Sequence, residues 1–289
     1  MERVVKMTKV ALLGAGGKMG VRLARNLADT DYRVAHVEIS DAGQERLKSM
    51  LGVTCVPMAE AIADARAVIV ALPDRVIGAA LGDIIDQLQP GTAVIMLDAA
   101  AAHAGTLPTR ADITYFVTHP CHPPIFNDET AAEARADFFG CLHARQHIVC
   151  ALGQGPEEDY AFCEKIARTI YAPVMRSHRC TVEALAILEP AMSETIGATL
   201  ALAMREATEA AIKKGVPREA AMDFMLGHLN IELAIAFEIF PEGRFSDGAL
   251  HAIEAARPMI FREGWLDAVF DSKAVLASVR EIADPGAAA

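Results

Sequence analysis

The side chains best placed to do chemistry lie in two strings far apart in the 289-residue chain: His119-Pro-Cys-His122-Pro-Pro124 and Leu188-Glu189-Pro190-Ala-Met-Ser-Glu194. Imidazole changes charge between pH 5 and 8, so two histidines within four residues suit proton transfer or metal ligation. The prolines around them fix backbone dihedrals and remove donors, which holds both rings on a stiff path. The preceding run, Thr114 to Thr118, reads as an apolar strand, so the histidines belong at a strand's carboxyl end. Cys121 between them is expected to face away and pack. Glu189 sits in very apolar sequence, where an unpartnered carboxylate is costly to bury. A divalent cation shared with His119 satisfies both groups; a water-filled cleft or a salt bridge to Arg176 or Arg179 satisfies Glu189 equally. Glu194 lies five positions further on, roughly 140° around an ideal helix. The two carboxylates share a face only if Pro190 rotates the turn.

A third string specifies a ligand. Gly14-Ala-Gly16-Gly17-Lys18-Met19-Gly20 follows the apolar run Val10 to Leu13 and precedes a helical stretch beginning at Val21. A strand entering a glycine turn and then a helix aims backbone N–H groups and the positive helix end at a pyrophosphate. The last position of the G-x-G-x-x-G pattern is Met19 here, and the string also satisfies G-x-x-G-x-x-G from Gly14 through Gly17 to Gly20. Either spacing seats a dinucleotide, with contacts expected from Gly14, Gly16, Gly17, Lys18 and Met19. Glu38 ends a second strand, Arg33 to Val37, about twenty residues past the turn. A carboxylate there accepts hydrogen bonds from the adenosine ribose hydroxyls and repels a 2′-phosphate, so NAD is expected in preference to NADP. The run Ala67 to Leu72 continues into Pro73-Asp74, which brings Leu72 and Asp74 to the nicotinamide side; a helix cap at Asp74 is a compatible alternative.

These residues need a scaffold that gathers strand ends. From Val10 to about Arg176, short β-branched runs alternate with Ala/Leu-rich helical stretches, the pattern of an α/β, Rossmann-type doubly wound sheet. Strands are expected at Val10–Leu13, Arg33–Val37, Val53–Val56, Ala67–Leu72, Ala93–Leu97, Thr114–Thr118, His147–Leu152 and Pro173–Arg176, in a parallel sheet covered by helices, several of them apolar throughout as strands buried on both faces should be. After Thr181 the β-branched clusters stop, and an all-α C-terminal domain follows. The expected division is an NAD-binding domain over residues 1–180 and a helical substrate and dimerisation domain over 181–289. The helical domain opens with one long helix from Val182, interrupted only by Pro190 and Gly197 and ended by Lys213-Lys214-Gly215-Val216-Pro217. A helix this long and apolar is expected to form a homodimer interface. Gly227-His228-Leu-Asn230 and Arg244-Phe-Ser246-Asp247-Gly248 are polar groups in apolar surroundings, expected to close over a substrate or to cap helices.

Bulk properties narrow the partners. A net charge of -11 leaves no basic field for phosphate backbones, so nucleic acid is not expected. Six cysteines without a C-x-x-C pair read as free thiols of a cytoplasmic protein. No uncharged apolar run approaches the ~18 residues of a membrane span, so no membrane partner is expected. The terminal Pro285-Gly-Ala-Ala-Ala tail is expected to fray.

Taken together, the glycine turn, Glu38, Leu72-Pro-Asp74 and the long helix opening an all-α half resemble the 6-phosphogluconate and 3-hydroxyisobutyrate dehydrogenase superfamily. The narrower set of Gly14-Ala-Gly-Gly-Lys-Met-Gly20, His119-Pro-Cys-His-Pro-Pro124, Leu188-Glu-Pro190 and Phe245-Ser-Asp-Gly248 is similar to D-apionate oxidoisomerases over essentially the whole chain. The resemblance implies an NAD-dependent oxidoreductase acting on a small branched sugar acid. It further implies that a divalent metal polarises a hydroxyl and a carbonyl, that a carbon substituent migrates, and that NAD accepts a hydride, giving a 3-oxo acid. In that reading His119 and Glu189 are the metal ligands, and His122 or Glu194 moves the proton. Hydroxyacid dehydrogenases of the superfamily carry a catalytic lysine on the long helix, whereas residues 181–204 here contain none. A Lewis acid would do the work that this lysine does elsewhere. The competing expectations are a simple NAD(P)-dependent hydroxyacid dehydrogenase, a dihydrodipicolinate-reductase-like enzyme without isomerisation, and a nucleotide-sensing module that binds NAD without turnover.

Overall fold

Apolar runs that do not alternate become strands covered on both faces, because neither side can be left to water. In the computed structural model, which describes residues 7–283, seven such strands form one sheet in the order β2-β1-β3-β4-β5-β6-β7. They are β1 (Lys9–Leu13), β2 (Arg33–Val37), β3 (Ala67–Val70), β4 (Ala93–Met96), β5 (Thr114–Pro120), β6 (Gln146–Gln154) and β7 (Val174–Cys180). Between them run α1 (Lys18–Ala28), α2 (Asp41–Leu51), α3 (Met58–Ile62), α4 (Asp74–Ile84), α5 (Ala100–His103), α6 (Ala132–Ala136) and α7 (Glu158–Ile170). Every residue of β3 and β4 is buried, and each buried Val or Ile side chain contributes about 1.5–3 kcal/mol.

Three expectations need correcting. Val53–Val56 forms no strand: Val56 N–H donates to His36 O at 2.9 Å, and the ladder stops there because Pro57 has no N–H to offer. Ala67 therefore opens the third strand. The sheet is not wholly parallel, since β5 and β6 pair antiparallel. The connection between them returns to the same sheet edge without a crossover. Finally, β5 continues through Pro120, so His119 lies within the ladder opposite Val149 and the irregular path starts at Cys121.

The chain forms two compact units, one running to Glu189 and rejoined from Leu276 onward, the other spanning Pro190–Val275. Expected at 180/181, the division instead follows α8 (Val182–Ala186), which packs on β6 and α5 and buries Leu185 and Ala186 completely. The second unit is helical, with α9 (Thr199–Lys213), α10 (Arg218–Ala236), α11 (Asp247–Ile260) and α12 (Trp265–Phe270); α13 (Ser272–Ala283) leads back to the first. The Pro285–Ala289 tail lies outside the described residues.

Val182–Lys213 is one helical stretch of 32 residues, and its centre, Ile187–Ala198, is π-wound around Pro190. Proline removes one N–H and collides with the preceding turn, and widening to i→i+5 bonding relieves both. The Thr195 hydroxyl donates to the Pro190 carbonyl at 2.7 Å, completing the loosened turn. Length and composition alone would let this helix cross a membrane, yet only 22% of its most apolar window is buried.

Candidate active site and dinucleotide crevice

From β1 the chain moves out to β2 and then back past β1 to β3, so the carboxyl ends of β1 and β3 flank the point where strand order reverses. Ligands of doubly wound sheets bind in that crevice. Gly14 adopts φ +72°, and a Cβ there would lie 2.3 Å from the Ala71 carbonyl oxygen. A Cβ on Gly16 would lie 2.5 Å from the Gly43 backbone, and one on Gly20 would lie 2.1 Å from Gly14 O. Close packing thus requires glycine at 14, 16 and 20, and Gly20 rather than Met19 closes the turn. At Gly17 the nearest atom to an added Cβ is Gly14 O at 3.2 Å, a tight contact but much milder than those at the other three glycines. Helical bonding begins with Val21 N–H to Gly17 O at 3.0 Å. The N–H groups of Lys18, Met19 and Gly20 are left without an intrahelical acceptor, and no side chain caps them. Free donors, a positive helix end and a surface stripped of Cβ atoms fit a dinucleotide pyrophosphate.

Glu38 stands at the end of β2 with Oε2 accepting from Gly16 N–H at 3.0 Å and Oε1 accepting from the Ser40 N–H and hydroxyl, both at 2.9 Å. Burial alone would raise its pKa; the bonds from Ser40, Gly16 and Ile39 outweigh that and hold the carboxyl below its ordinary value. The acid is therefore charged at neutral pH and tied to the glycine turn. Next to it the apolar side chain of Ile39 is 92% exposed. The Arg46 guanidinium bonds to the Gly16 carbonyl, bracing the turn from α2. Leu72 lies against Gly14, and Asp74 opens α4, where a carboxylate complements the positive helix end.

At the carboxyl ends of β4 and β5, Asp98, His119 and Glu189 converge, with one ligand atom of each within 4.8 Å of the others. His119 Nδ1 bonds to the Leu97 carbonyl at 2.8 Å, and since a carbonyl only accepts, Nδ1 carries the proton. In the neutral ring Nε2 then presents its lone pair, buried and without a hydrogen bond, 3.3 Å from Glu189 Oε2. A lone pair facing a carboxylate is unfavourable unless a cation or a second proton sits between them. Asp98 Oδ1 accepts from Ala100 N–H at 2.7 Å, and its Oδ2 lies 3.6 Å from the His119 ring. One imidazole and two half-buried carboxylates fit a divalent cation, with Leu97 O as the outer partner that orients the ring. Neither arginine considered for Glu189 reaches it: Arg179 pairs with Glu157, and Arg176 stands 3.4 Å from His147 Nε2.

His122 is brought to the same place, its ring centroid 6.0 Å from that of His119 in an edge-to-face arrangement. It holds φ +60°, unusual for a non-glycine residue. The conformation is maintained by Nδ1 donating to Phe139 O at 2.9 Å and by the Phe139 ring at 5.1 Å. Its Nε2 is then the basic nitrogen. Cys121, expected to pack, is exposed. Glu194 lies exposed in the second unit; within the π-wound segment the i→i+5 pattern draws residues five apart toward one side of the helix. His228 stacks on Phe224 at 3.9 Å, and Ser246 caps α11 by accepting from Ala249 N–H at 3.2 Å.

Phe139 owes its position to buried Asp137, whose carboxylate accepts N–H groups of Gly140, Leu142, His143 and Ala144. Burial would raise the Asp137 pKa, but these four bonds outweigh it and hold the carboxyl below its ordinary value. Asp137→Asn turns an acceptor toward donors with an amide and is expected to cost about 2–4 kcal/mol in urea unfolding at pH 7. Because the folded pKa is the depressed one, this stability is present above the unfolded value near 4 and is lost as pH falls through the folded value. The difference between wild type and variant should therefore shrink below about pH 4; a constant difference would show that the charge is not what holds the loop.

Comparison with known proteins agrees with this geometry. Residues 9–106 match the NAD binding domain of 6-phosphogluconate dehydrogenase, and residues 127–283 match the phosphogluconate dehydrogenase (decarboxylating) C-terminal family. A D-apionate oxidoisomerase from Rhizobium rhizogenes is 54% identical, covering 96% of this chain and 100% of that one. One from Blautia hydrogenotrophica is 39% identical over 89% of this chain and 90% of its own. Among solved structures, a semialdehyde dehydrogenase NAD-binding protein from Cupriavidus necator, in complex with calcium and NAD, is 53% identical with a TM-score of 0.93, covering 95% and 99% of the two chains. A ketol-acid reductoisomerase from an uncultured archean, 18% identical with a TM-score of 0.67, shares the fold. The chain is an NAD-binding oxidoreductase and belongs to the D-apionate oxidoisomerase family within the 6-phosphogluconate dehydrogenase superfamily.

Proposed function

We propose that this protein oxidises and rearranges a small branched sugar acid of the D-apionate type, using NAD and a divalent cation held by His119, Glu189 and Asp98. The observation that carries the reading is the buried, unbonded His119 Nε2 facing Glu189 at 3.3 Å beside Asp98. Support comes from the relatives named D-apionate oxidoisomerase and from the calcium and NAD bound to the Cupriavidus necator protein. When bound, NAD supplies the hydride acceptor and the cation a Lewis acid for hydroxyl and carbonyl oxygens. The protein's own residues do the remaining work. Leu97 O keeps the His119 proton on Nδ1. Phe139 does the same for His122, leaving Nε2 as the base for a substrate hydroxyl proton. Glu38 binds the ribose hydroxyls and disfavours NADP. The absence of lysine from residues 181–204 weighs against a plain hydroxyacid dehydrogenase.

The test is a screen of D-apionate and other C4 to C6 sugar acids with NAD or NADP, followed at 340 nm and by NMR of the products. It is run after exhaustive EDTA treatment and after Mg²⁺, Mn²⁺ or Zn²⁺ is restored. The expected result is metal-dependent NAD reduction with a rearranged 3-oxo acid. Full turnover after chelation would exclude the cation, and an oxidised but unrearranged product would identify a simple dehydrogenase.

A cytoplasmic location fits six free cysteines, and a homodimer through the long helix fits its poorly buried apolar surface, including Met192 and Leu202. Five carboxylates, Glu183, Glu189, Glu194, Glu206 and Glu209, lie within that helix, each costing about 2.5–3.5 kcal/mol at a bilayer centre, so a second copy covers it better than lipid does. Sedimentation should give about twice the 30.9 kDa chain mass at low micromolar protein. A monomer under those conditions would rule the dimer out.

A further inference from the structure

One face of α1 carries Lys18, Arg22 and Arg25, and α2 turns Arg46 toward them. These four cations line a single cavity of about 580 Å³ in the first unit, with Val21, Met50 and Leu142 among its apolar walls and no carboxylate on its lining. Eight other arginines of the chain, among them Arg33, Arg66, Arg110 and Arg145, pair with carboxylates. None of the four cations here has a carboxylate partner among the described residues. Lys18, Arg22 and Arg25 repel one another at i, i+4 and i+7 spacing, in a protein whose net charge is -11. Arg22 Nε is buried without a hydrogen-bond partner. Lys18 and Arg22 are also held in place, each over the Phe139 ring at 4.7 and 4.8 Å.

We propose that this groove between α1 and α2 is a second anion site, taking a phosphorylated small molecule with an apolar portion. Guanidinium forks match phosphate oxygens in pairs, pre-positioned side chains lose little freedom on binding, and the apolar wall accommodates the rest of the ligand. The groove begins at Lys18 but lies along the helix flank, whereas the dinucleotide pyrophosphate is expected on the backbone N–H groups at the helix end.

The experiment titrates phenyl phosphate and inorganic pyrophosphate into protein already saturated with NAD, by calorimetry. Both probes are expected to bind, and Arg25→Glu is expected to weaken both by at least about tenfold while NAD affinity is unchanged. Arg25 is exposed, so the variant tests charge without disturbing the core. Failure of both probes to bind below about 10 mM would overturn the proposal. So would equal affinity in Arg25→Glu, or binding that NAD abolishes, which would make the groove part of the dinucleotide site.

Discussion

His119→Ala and Glu189→Gln are each expected to lower sugar-acid turnover by about 10³-fold or more while changing NAD affinity less than about threefold. Both side chains stand at the ends of β4 and β5 or facing them, away from the glycine turn, so the dinucleotide keeps every contact it makes with Gly14 to Gly20 and Glu38. Removing the imidazole leaves Glu189 and Asp98 facing each other with no neutral donor between them. Neutralising Glu189 leaves Nε2 without the charge that favours a cation beside it. Manganese binding, read by calorimetry alongside turnover, separates this account from a purely structural one. Turnover lost with manganese affinity intact would assign the pair to proton transfer, and NAD affinity lost in both variants would remove them from the cation site altogether.

Gly14→Ala is expected to abolish measurable NAD binding and to destabilise the protein by about 2–5 kcal/mol, the combined effect of a left-handed backbone and an overpacked contact. The residue stands at φ +72°, and its new methyl would meet the Ala71 carbonyl at 2.3 Å, so β1 and β3 would have to part at the crevice itself. Gly17→Ala supplies the contrast. That residue has φ -67°, and only Gly14 O lies near an added methyl, at 3.2 Å. Stability should change by less than about 1 kcal/mol, while NAD binding weakens because the methyl sits among the pyrophosphate donors. Urea unfolding and NAD titration of both variants check the pair, and similar unfolding midpoints for the two would contradict the packing argument.

What could be read from sequence followed the range of the interactions involved. The glycine turn was legible because a strand, a turn and a helix within twenty residues dictate one local geometry, and Glu38 was legible because its distance from that turn is set by one βαβ unit. The spacing ambiguity between Met19 and Gly20 was resolved only by how tightly the turn folds on itself, where a Cβ on Gly20 would lie 2.1 Å from Gly14 O and 2.7 Å from Ala15, a closure that spacing alone does not reveal. Pro190 announced a disturbed helix, since proline's effect is local, but nothing in the sequence marks that the π-wound segment runs from Ile187 to Ala198. Asp98 carried no signal beyond being an acid one residue past an apolar run. Only the pairing of β4 with β5 sets it beside His119. Phe139 and Asp137 were silent for the same reason: a turn built on one carboxylate accepting four N–H groups leaves no periodic trace.

A gene encoding residues 1–189 alone would not encode a whole first unit. Helix α13 returns to that unit from Leu276, bringing Val279, fully buried, and Ala283, 6% exposed. Residues 190–275 are consequently an insertion anchored at both ends, not a tail appended to a finished nucleotide-binding cassette. Exchange of helical domains among relatives must therefore carry two junctions, and a chimera joined at a single point would leave the last helix mismatched to the surface it covers.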